Sequence, residues 1–183
     1  MTPLYILTGG AAVVTLWIAL LYNNLVRATN HCSESWADVD TELKRRYDLI
    51  PNLVATVKGY AAHESTVLEQ VTRARATAVA STGSPSSQAR DENELVAGLR
   101  QMMAIAEAYP NLKADTHFLE LQRELVNTED RIQRARRFYN ANVRELANLI
   151  ETFPSNMVAG VFRFAPREYF EIEEAARSLP AVS

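Results

Sequence analysis

The chain has 183 residues, of which 48% are hydrophobic and 22% charged, and its formal net charge is −3. This length suits one compact domain with an appendage, and the low count of 6 Gly and 7 Pro argues against a disordered or fibrous protein. The slightly acidic balance gives no general attraction to nucleic acid, and the single cysteine, Cys32, excludes an intramolecular disulfide.

Residues 1–26 carry no charged side chain and predict a transmembrane anchor. The apolar stretch LYILTGGAAVVTLWIALLY, residues 4–22, would form a helix of about 28 Å, close to the ~30 Å of a hydrocarbon core. Tyr5, Trp17 and Tyr22 lie toward its ends, where amphipathic rings favour the membrane interface. A cleavable signal peptide is the alternative, but the basic amino-terminal region and the small-residue cleavage site that it needs are missing. We therefore expect an uncleaved, single-pass anchor in the lipid bilayer of the inner membrane.

The distribution of cations predicts the side on which the remaining chain lies. No Lys or Arg precedes the span, whereas Arg27 follows it at once and Lys44, Arg45 and Arg46 come later. Positive flanks are retained in the cytoplasm, so the soluble domain is expected there, with an extracytoplasmic domain as the alternative.

Four helical segments are predicted between residues 27 and 153, because apolar residues recur at spacings of three and four. The first three are marked by Leu25 to Leu43, Leu53 to Ala78 and Leu95 to Tyr109. Between the second and the third, residues 81–90 include STGSPSS, a composition typical of a loop, and we expect a mobile tip there.

The fourth segment has the clearest pattern, and Asp115 is placed to cap it. Its apolar seam alternates by three and four from Phe118 to Phe153, which predicts coiled-coil-like packing against other helices. Thr128 and Asn142 interrupt the seam with polar atoms. Either they bond to the backbone or to a facing side chain, or they fix the register between helices.

The stretch RRYDLIPNL places Pro51 within an otherwise helical pattern. A proline in a helix interior lacks a donor and clashes with the preceding turn, at a cost of about 3 kcal/mol. One interpretation is a corner at which Asp48 caps a new helix; the other is a kink in a continuing helix. In either case Arg45 and Arg46 would lie beside freed carbonyls at a helix end, where the dipole favours cations.

Residues 154–183 form a tail of different character, rich in aromatic residues that include Phe162 and Phe164. Pro166 is placed to open a last helix from Arg167 to Arg177. The aromatic residues are expected to cap the open end of the bundle or, alternatively, to form a docking surface.

No catalytic, metal or cofactor site is predicted. His31, His63 and His117 lie on different segments without metal-ligand spacing, and the phosphate-loop and nucleophile-elbow motifs are absent from the sequence. The chain is therefore not expected to be an enzyme, and no small-molecule substrate is indicated.

Two charged features remain. Glu64 falls on the apolar stripe of the second segment, which predicts a buried ion pair with an arginine of the fourth. Arg136 and Arg137 belong to a basic stretch that is interpreted as a solvated helix face, because a nucleic-acid site needs a broader basic surface with aromatic platforms.

Several blocks, in order, resemble the LemA family: NNLVRA, RRYDLIPNLVATVKGYAAHE, AIAEAYPNLKAD, RARRFYNANVRELANLIETFPSNMVAG and PREYFEIEEAAR. The resemblance covers residues 22–177 and implies an all-α, antiparallel helical bundle with a single-pass anchor, in a bacterial envelope protein without established enzymatic activity. The chain departs from the family pattern in GVFRFAP, where Arg163 stands at a position that is usually glycine.

Together these features predict a membrane-anchored scaffold or adaptor that binds other membrane proteins or copies of itself. The alternative is an accessory or sensor subunit of a membrane complex that responds to a ligand.

Overall fold

A computed structural model describes the backbone of residues 2–172 and the side chains of Tyr5 and of residues 7–172. This part of the chain is all-helical and has no strands, which confirms the predicted fold class. The helices are α1 (Thr2–Tyr60), α2 (Ser65–Ala80), α3 (Pro85–Glu107), α4 (Pro110–Lys113), α5 (Thr116–Glu151) and α6 (Ser155–Phe162).

Helix α1 continues for 59 residues and contains Pro51, so the predicted corner is wrong. The chain first reverses at residues 61–64, which divides the predicted second segment between α1 and α2. The reason is the stripe of buried residues, which keeps its spacing of three and four through Leu43, Arg46, Ile50 and Leu53. Breaking the helix at Pro51 would disrupt this buried stripe.

A side chain of α2 satisfies the carbonyl that the proline leaves free. In a regular helix the N–H of residue 51 would donate to the carbonyl of Tyr47, but proline has no N–H. Arg75 Nε donates to the Tyr47 carbonyl instead, at 2.6 Å. Pro51 itself is exposed, so its ring displaces no core residue.

The chain divides into two compact units. Among the described residues, the first unit comprises residues 2–37 and 138–167, and the second comprises residues 38–137 and 168–172. Helices α1 and α5 each contribute to both units.

The first unit has a small core where α1, α5 and α6 supply buried apolar residues: Leu25, Ala28, Cys32, Tyr139, Val143, Leu146, Val158 and Ala159. Before this core, α1 exposes large apolar side chains such as Leu7 (72% exposed) and Leu20 (61%). Within the described chain, α1 is the one helix long and apolar enough to cross a membrane. Because the apolar window is almost entirely exposed, it is unlike the core helix of a soluble protein.

The second unit is built on close packing between α2 and α3. A Cβ at Gly98 of α3 would lie 3.2 Å from Val71 Cγ2 of α2, so only glycine allows this approach without a shift of Val71. The loop between these helices is shorter than predicted and covers residues 81–84, because Pro85 takes the favoured first position of α3.

The predicted cap and seam of α5 are largely as expected. The Phe118 N–H donates to Asp115 Oδ1 at 2.9 Å, which confirms Asp115 as the cap. Seam residues Phe118, Leu125, Ile132 and Leu146 are buried. The last seam position is wrong, because α5 ends at Glu151 and Phe153 is 79% exposed.

The predicted helix that begins at Arg167 does not form in residues 167–172; its remainder, residues 173–177, lies outside the described chain. Phe170 and Ile172 are buried, whereas residues 169 and 171 are exposed. Burial at every second residue is typical of an extended chain and not of a helix. Arg136 Nη1 donates to the Ile172 carbonyl, and this bond ties the segment to α5 within the second unit.

Arg163 supplies the tight turn that the family pattern assigns to glycine. It takes the left-handed conformation, with φ 59° and ψ 40°. Its N–H donates to the Gly160 carbonyl at 3.3 Å, and the Phe164 N–H donates to the Ala159 carbonyl at 3.0 Å. These two bonds form a Schellman motif at the end of α6, so the turn is present without glycine.

Candidate functional site

A cluster of charged residues is buried in the core of the second unit. Arg46 of α1 is fully buried, and its guanidinium lies between Glu92 of α3 and Glu129 of α5. Arg46 Nη1 donates to Glu129 Oε2 at 2.8 Å, and Nη2 donates to Glu92 Oε2. The Tyr47 hydroxyl donates to the other oxygen of Glu92.

This cluster contains one guanidinium group and two carboxyl groups. Arg46 Nε is buried and has no hydrogen-bond partner among the described residues. Burial raises the pKa of Tyr47 to about 12, although Arg46 opposes the rise. The phenol therefore stays protonated as a donor to Glu92 at physiological pH. Through these contacts Arg46 joins α1 to α3 and α5, and removing one partner from a buried ion cluster costs far more than an exposed pair contributes.

The expected place of Arg45 and Arg46 at a helix end is wrong, because α1 continues through both. Glu92 and Glu129 were also missed as partners of Arg46. The sequence does carry a signal for them. Arg46 lies three residues after Leu43 and four before Ile50, in phase with the buried stripe of α1. Glu92 likewise lies three residues after Ala89, which is buried on the same helix. A charged residue in phase with an apolar seam indicates a buried ion pair.

The prediction for Glu64 assigned the buried ion pair to the wrong residue. Glu64 is half-buried at the start of α2, where its side chain makes no capping hydrogen bond. The buried pair is formed by Arg46 of α1 instead.

A second, partly exposed network joins α1 and α5. Arg131 Nε donates to Glu42 Oε2 at 3.0 Å, and Nη2 donates to Glu124 Oε1 at 2.9 Å. The same Nη2 lies 3.0 Å from Thr128 Oγ1, so the polar atom that interrupts the seam at Thr128 is bonded to a side chain. Arg45 is exposed and lies 3.4 Å from Glu42.

Asn142, the other polar seam residue, binds across the first unit. Its Nδ2 donates to Ser35 Oγ at 3.0 Å and to the His31 carbonyl at 3.3 Å. In the same unit, the rings of Trp36 and Tyr139 pack against each other, with centroids 5.1 Å apart. The interpretation that Asn142 bonds to a facing side chain and to backbone is confirmed. Burial raises the pKa of the nearby Cys32 thiol.

The predicted aromatic residues of the tail lie against the end of the apolar span. Phe162 and Phe164 contact Tyr22, with ring centroids 4.8 Å and 5.7 Å from it. Phe162 is 51% exposed, whereas Phe164 is half-buried. Of the other predicted anchor residues, Tyr5 (71% exposed) and Trp17 (46%) are accessible.

The remaining predicted residues form no shared site. Asp48 is exposed and caps no helix, because α1 continues through it. Arg136 of α5 is half-buried where it donates to the extended segment, so its predicted place on a solvated face is wrong. Arg137 is exposed, as expected for such a face. Among residues 2–172, no group of three or more His, Cys, Asp or Glu side chains is arranged to hold a metal ion.

A groove of ≈ 400 Å³ lies between the end of α1 and α2 in the second unit. Val54 and Leu68 supply an apolar floor, and Lys58, Glu69 and Arg73 supply a charged rim. Such a combination of apolar floor and polar rim is found where proteins bind side chains of a partner or a small ligand.

Comparison with known proteins gives two consistent results. The sequence profile of the LemA family matches residues 35–183. Two magnetosome proteins of Paramagnetospirillum magneticum, MamQ 1 and MamQ 2, are each 25% identical over 198 residues, covering 93% of this chain and 72% of theirs. The magnetosome protein MamQ of Magnetospirillum gryphiswaldense is 24% identical over 208 residues, covering 100% of this chain and 75% of its own.

Proposed function

Since the chain belongs to the LemA family, we propose that this membrane-associated helical protein works by binding, as a scaffold or adaptor for other bacterial envelope proteins or for copies of itself. One observation carries the proposal, namely the groove between α1 and α2 with its apolar floor and its rim of alternating charge. No loop separates the exposed apolar stretch from the rest of α1, which supports a role at the membrane.

The geometry of the groove favours a helix or an extended peptide as the bound element. Apolar side chains of a partner would cover Val54 and Leu68, while the partner's charges would meet Lys58, Glu69 and Arg73. Opposite charges on the two sides of such a contact give specificity and faster association more than they give affinity.

Site-specific photocrosslinking in intact membranes tests the proposal. A photoreactive amino acid in place of Glu69, on the groove rim, is expected to give a discrete crosslinked product, whereas the same amino acid at Arg123, exposed on α5, is not. Mass spectrometry of the product distinguishes a second copy of this chain from another membrane protein. Absence of a product at Glu69, or equal products at both positions, would contradict the proposal.

The same groove supports a second candidate, an accessory or sensor subunit that responds to a ligand. Its volume of ≈ 400 Å³ lies within the ~300–1,000 Å³ range of small-molecule sites. A ligand that binds the folded protein raises its melting temperature in a thermal-shift screen. The shift should disappear in Ala76→Phe, which fills the groove from an exposed position and leaves the core intact.

Binding without catalysis is part of the proposal. An activity screen on the purified protein is the test. Turnover that is lost on changing His63 or Glu64, with the helical content unchanged, would overturn this part.

The soluble domain is proposed to face the cytoplasm, because Arg27 follows the apolar stretch and no cation precedes it. Reporter fusions at the carboxyl terminus test this orientation. Fluorescence of a cytoplasm-dependent reporter is expected, whereas activity of a phosphatase that folds only outside the cytoplasm would establish the extracytoplasmic alternative.

A further inference from the structure

Helix α6 presents an unusual surface for a helix at the exterior of a protein. Its sequence, SNMVAGVF, contains no charged residue. Ser155, Val158 and Ala159 face the core, whereas Met157 (65% exposed) and Val161 (77%) lie on the outer face. Phe153, just before the helix, is 79% exposed and lies four residues before Met157. Met157 and Val161 lie one helical turn apart on the outer face of α6, and exposed Phe153 lies in the turn that precedes the helix, so this end of the unit exposes several large apolar side chains.

The position of α6 relative to the apolar span of α1 is fixed within the first unit. Phe162, its last residue, contacts Tyr22 with ring centroids 4.8 Å apart, and Phe164 contacts the same ring at 5.7 Å. Tyr22 ends the apolar stretch of α1, and the first charged residue, Arg27, follows about 8 Å further along the helix at 1.5 Å per residue. The zone between hydrocarbon and water on each side of a bilayer is of similar depth, about 5–8 Å.

We propose that α6 is a second membrane contact, which lies in the lipid interface of the leaflet where α1 leaves the bilayer. Met157 and Val161 of its outer face insert among the upper acyl chains, together with exposed Phe153 of the preceding turn. The Tyr22–Phe162 contact holds the helix at this depth. Interfacial helices have an apolar face of this kind, and aromatic side chains are favoured at the same level.

Lipid is the occupant that the contacts of α6 favour over a second copy of the chain. The aromatic contacts join α6 to the end of a span whose large side chains are themselves exposed for lipid. Arg27 and Arg163, both exposed, lie close in sequence to Tyr22 and Phe162 and are available to headgroup phosphates. This inference goes beyond the proposed binding function, and it holds whichever partner occupies the groove.

Electron paramagnetic resonance of the full chain in phosphatidylcholine and phosphatidylglycerol vesicles tests the proposal. Single spin labels are placed at Met157→Cys and Val161→Cys in a Cys32→Ala background, with Arg144→Cys as the matched control. Arg144 is exposed on α5 in the same unit. The measured quantity is the rate at which each spin label collides with two relaxing agents: oxygen, which concentrates in lipid, and a water-soluble nickel chelate. Labels at positions 157 and 161 should collide more often with oxygen than with the chelate. The label at position 144 should collide more often with the chelate.

Two results would overturn the proposal. Labels at 157 and 161 that meet the nickel chelate as often as the label at 144 would place α6 in water. Labels shielded from both relaxing agents would show that protein covers this face, and spin–spin broadening would then identify a second copy. Circular dichroism of each labelled protein verifies that the helices are retained.

Discussion

The bond between Arg75 Nε and the Tyr47 carbonyl makes a sharp prediction about Pro51. The carbonyl accepts from Arg75 at 2.6 Å because residue 51 has no N–H to donate. Arg75→Met would leave this carbonyl without a partner in a half-buried position, and a hydrogen bond to a charged group contributes about 1.5–3 kcal/mol. In a Pro51→Ala background the new N–H satisfies the same carbonyl. The cost of Arg75→Met should then fall below about 1 kcal/mol.

A double-mutant cycle measures this coupling directly. Urea unfolding of the wild type, both single variants and the double variant, followed by circular dichroism in detergent micelles, gives the four free energies of unfolding. The expected coupling between positions 51 and 75 is at least about 1 kcal/mol. The control is Arg73→Met in the same two backgrounds, because Arg73 lies on the groove rim and should add independently. Additive effects of Pro51→Ala and Arg75→Met would refute the reasoning.

Three further predictions concern single positions. Arg46→Met should lower the free energy of urea unfolding by about 3–5 kcal/mol, since two buried carboxyl groups lose their cationic partner. The control Arg45→Met, at an exposed position, should change it by less than about 0.5 kcal/mol. Equal losses in the two variants would show that burial of Arg46 does not matter. Arg163→Gly should stabilise the chain by about 1 kcal/mol in thermal unfolding, because glycine adopts φ 59° without a Cβ penalty, and a loss of stability would contradict this. The hydrogen bond from the Phe118 N–H and, to a smaller extent, the bond from the Tyr60 hydroxyl lower the pKa of Asp115 below its ordinary 3.8. The stability that the ionised Asp115 contributes is therefore present above pH 3.8 and is lost as the pH falls through the lowered pKa. Asp115→Asn should lack this acid-side loss when urea midpoints are compared from about pH 5 to pH 2, and equal slopes in both proteins would count against it.

Local patterns in the sequence predicted several parts of the structure correctly. The spacing of apolar residues identified the helical class and most of the buried seam of α5, because burial along a helix depends on neighbours three and four residues away. Asp115 was recognised as a cap for the same reason, since its partner is the N–H of Phe118 only three residues later. The uncharged stretch before Arg27 likewise identified the apolar span from composition alone.

The errors arose where a distant residue changed the local preference. A corner at Pro51 was one of the two expected outcomes, but Arg75, 28 residues after Tyr47 in sequence, satisfies the Tyr47 carbonyl that the proline leaves free, and the helix continues. A helix was expected from Arg167 to Arg177, but residues 167–172 are not helical, and the bond from Arg136 to the Ile172 carbonyl and the burial of Phe170 favour the extended form. Local propensity differs by only a few kcal/mol between states, so contacts of this kind decide the outcome.

The sequence by itself determined that this protein is a chain of amphipathic helices with an apolar amino-terminal stretch, because helical periodicity and local hydrophobicity depend only on residues that are close in sequence. Only the tertiary structure decided which charges meet inside it. Arg46 finds Glu92 and Glu129 at separations of 46 and 83 residues, and the energy of a buried charge depends on whether a partner of opposite sign lies within a few ångströms. That distance is set by the packing of whole helices, which the apolar spacing of each helix does not specify.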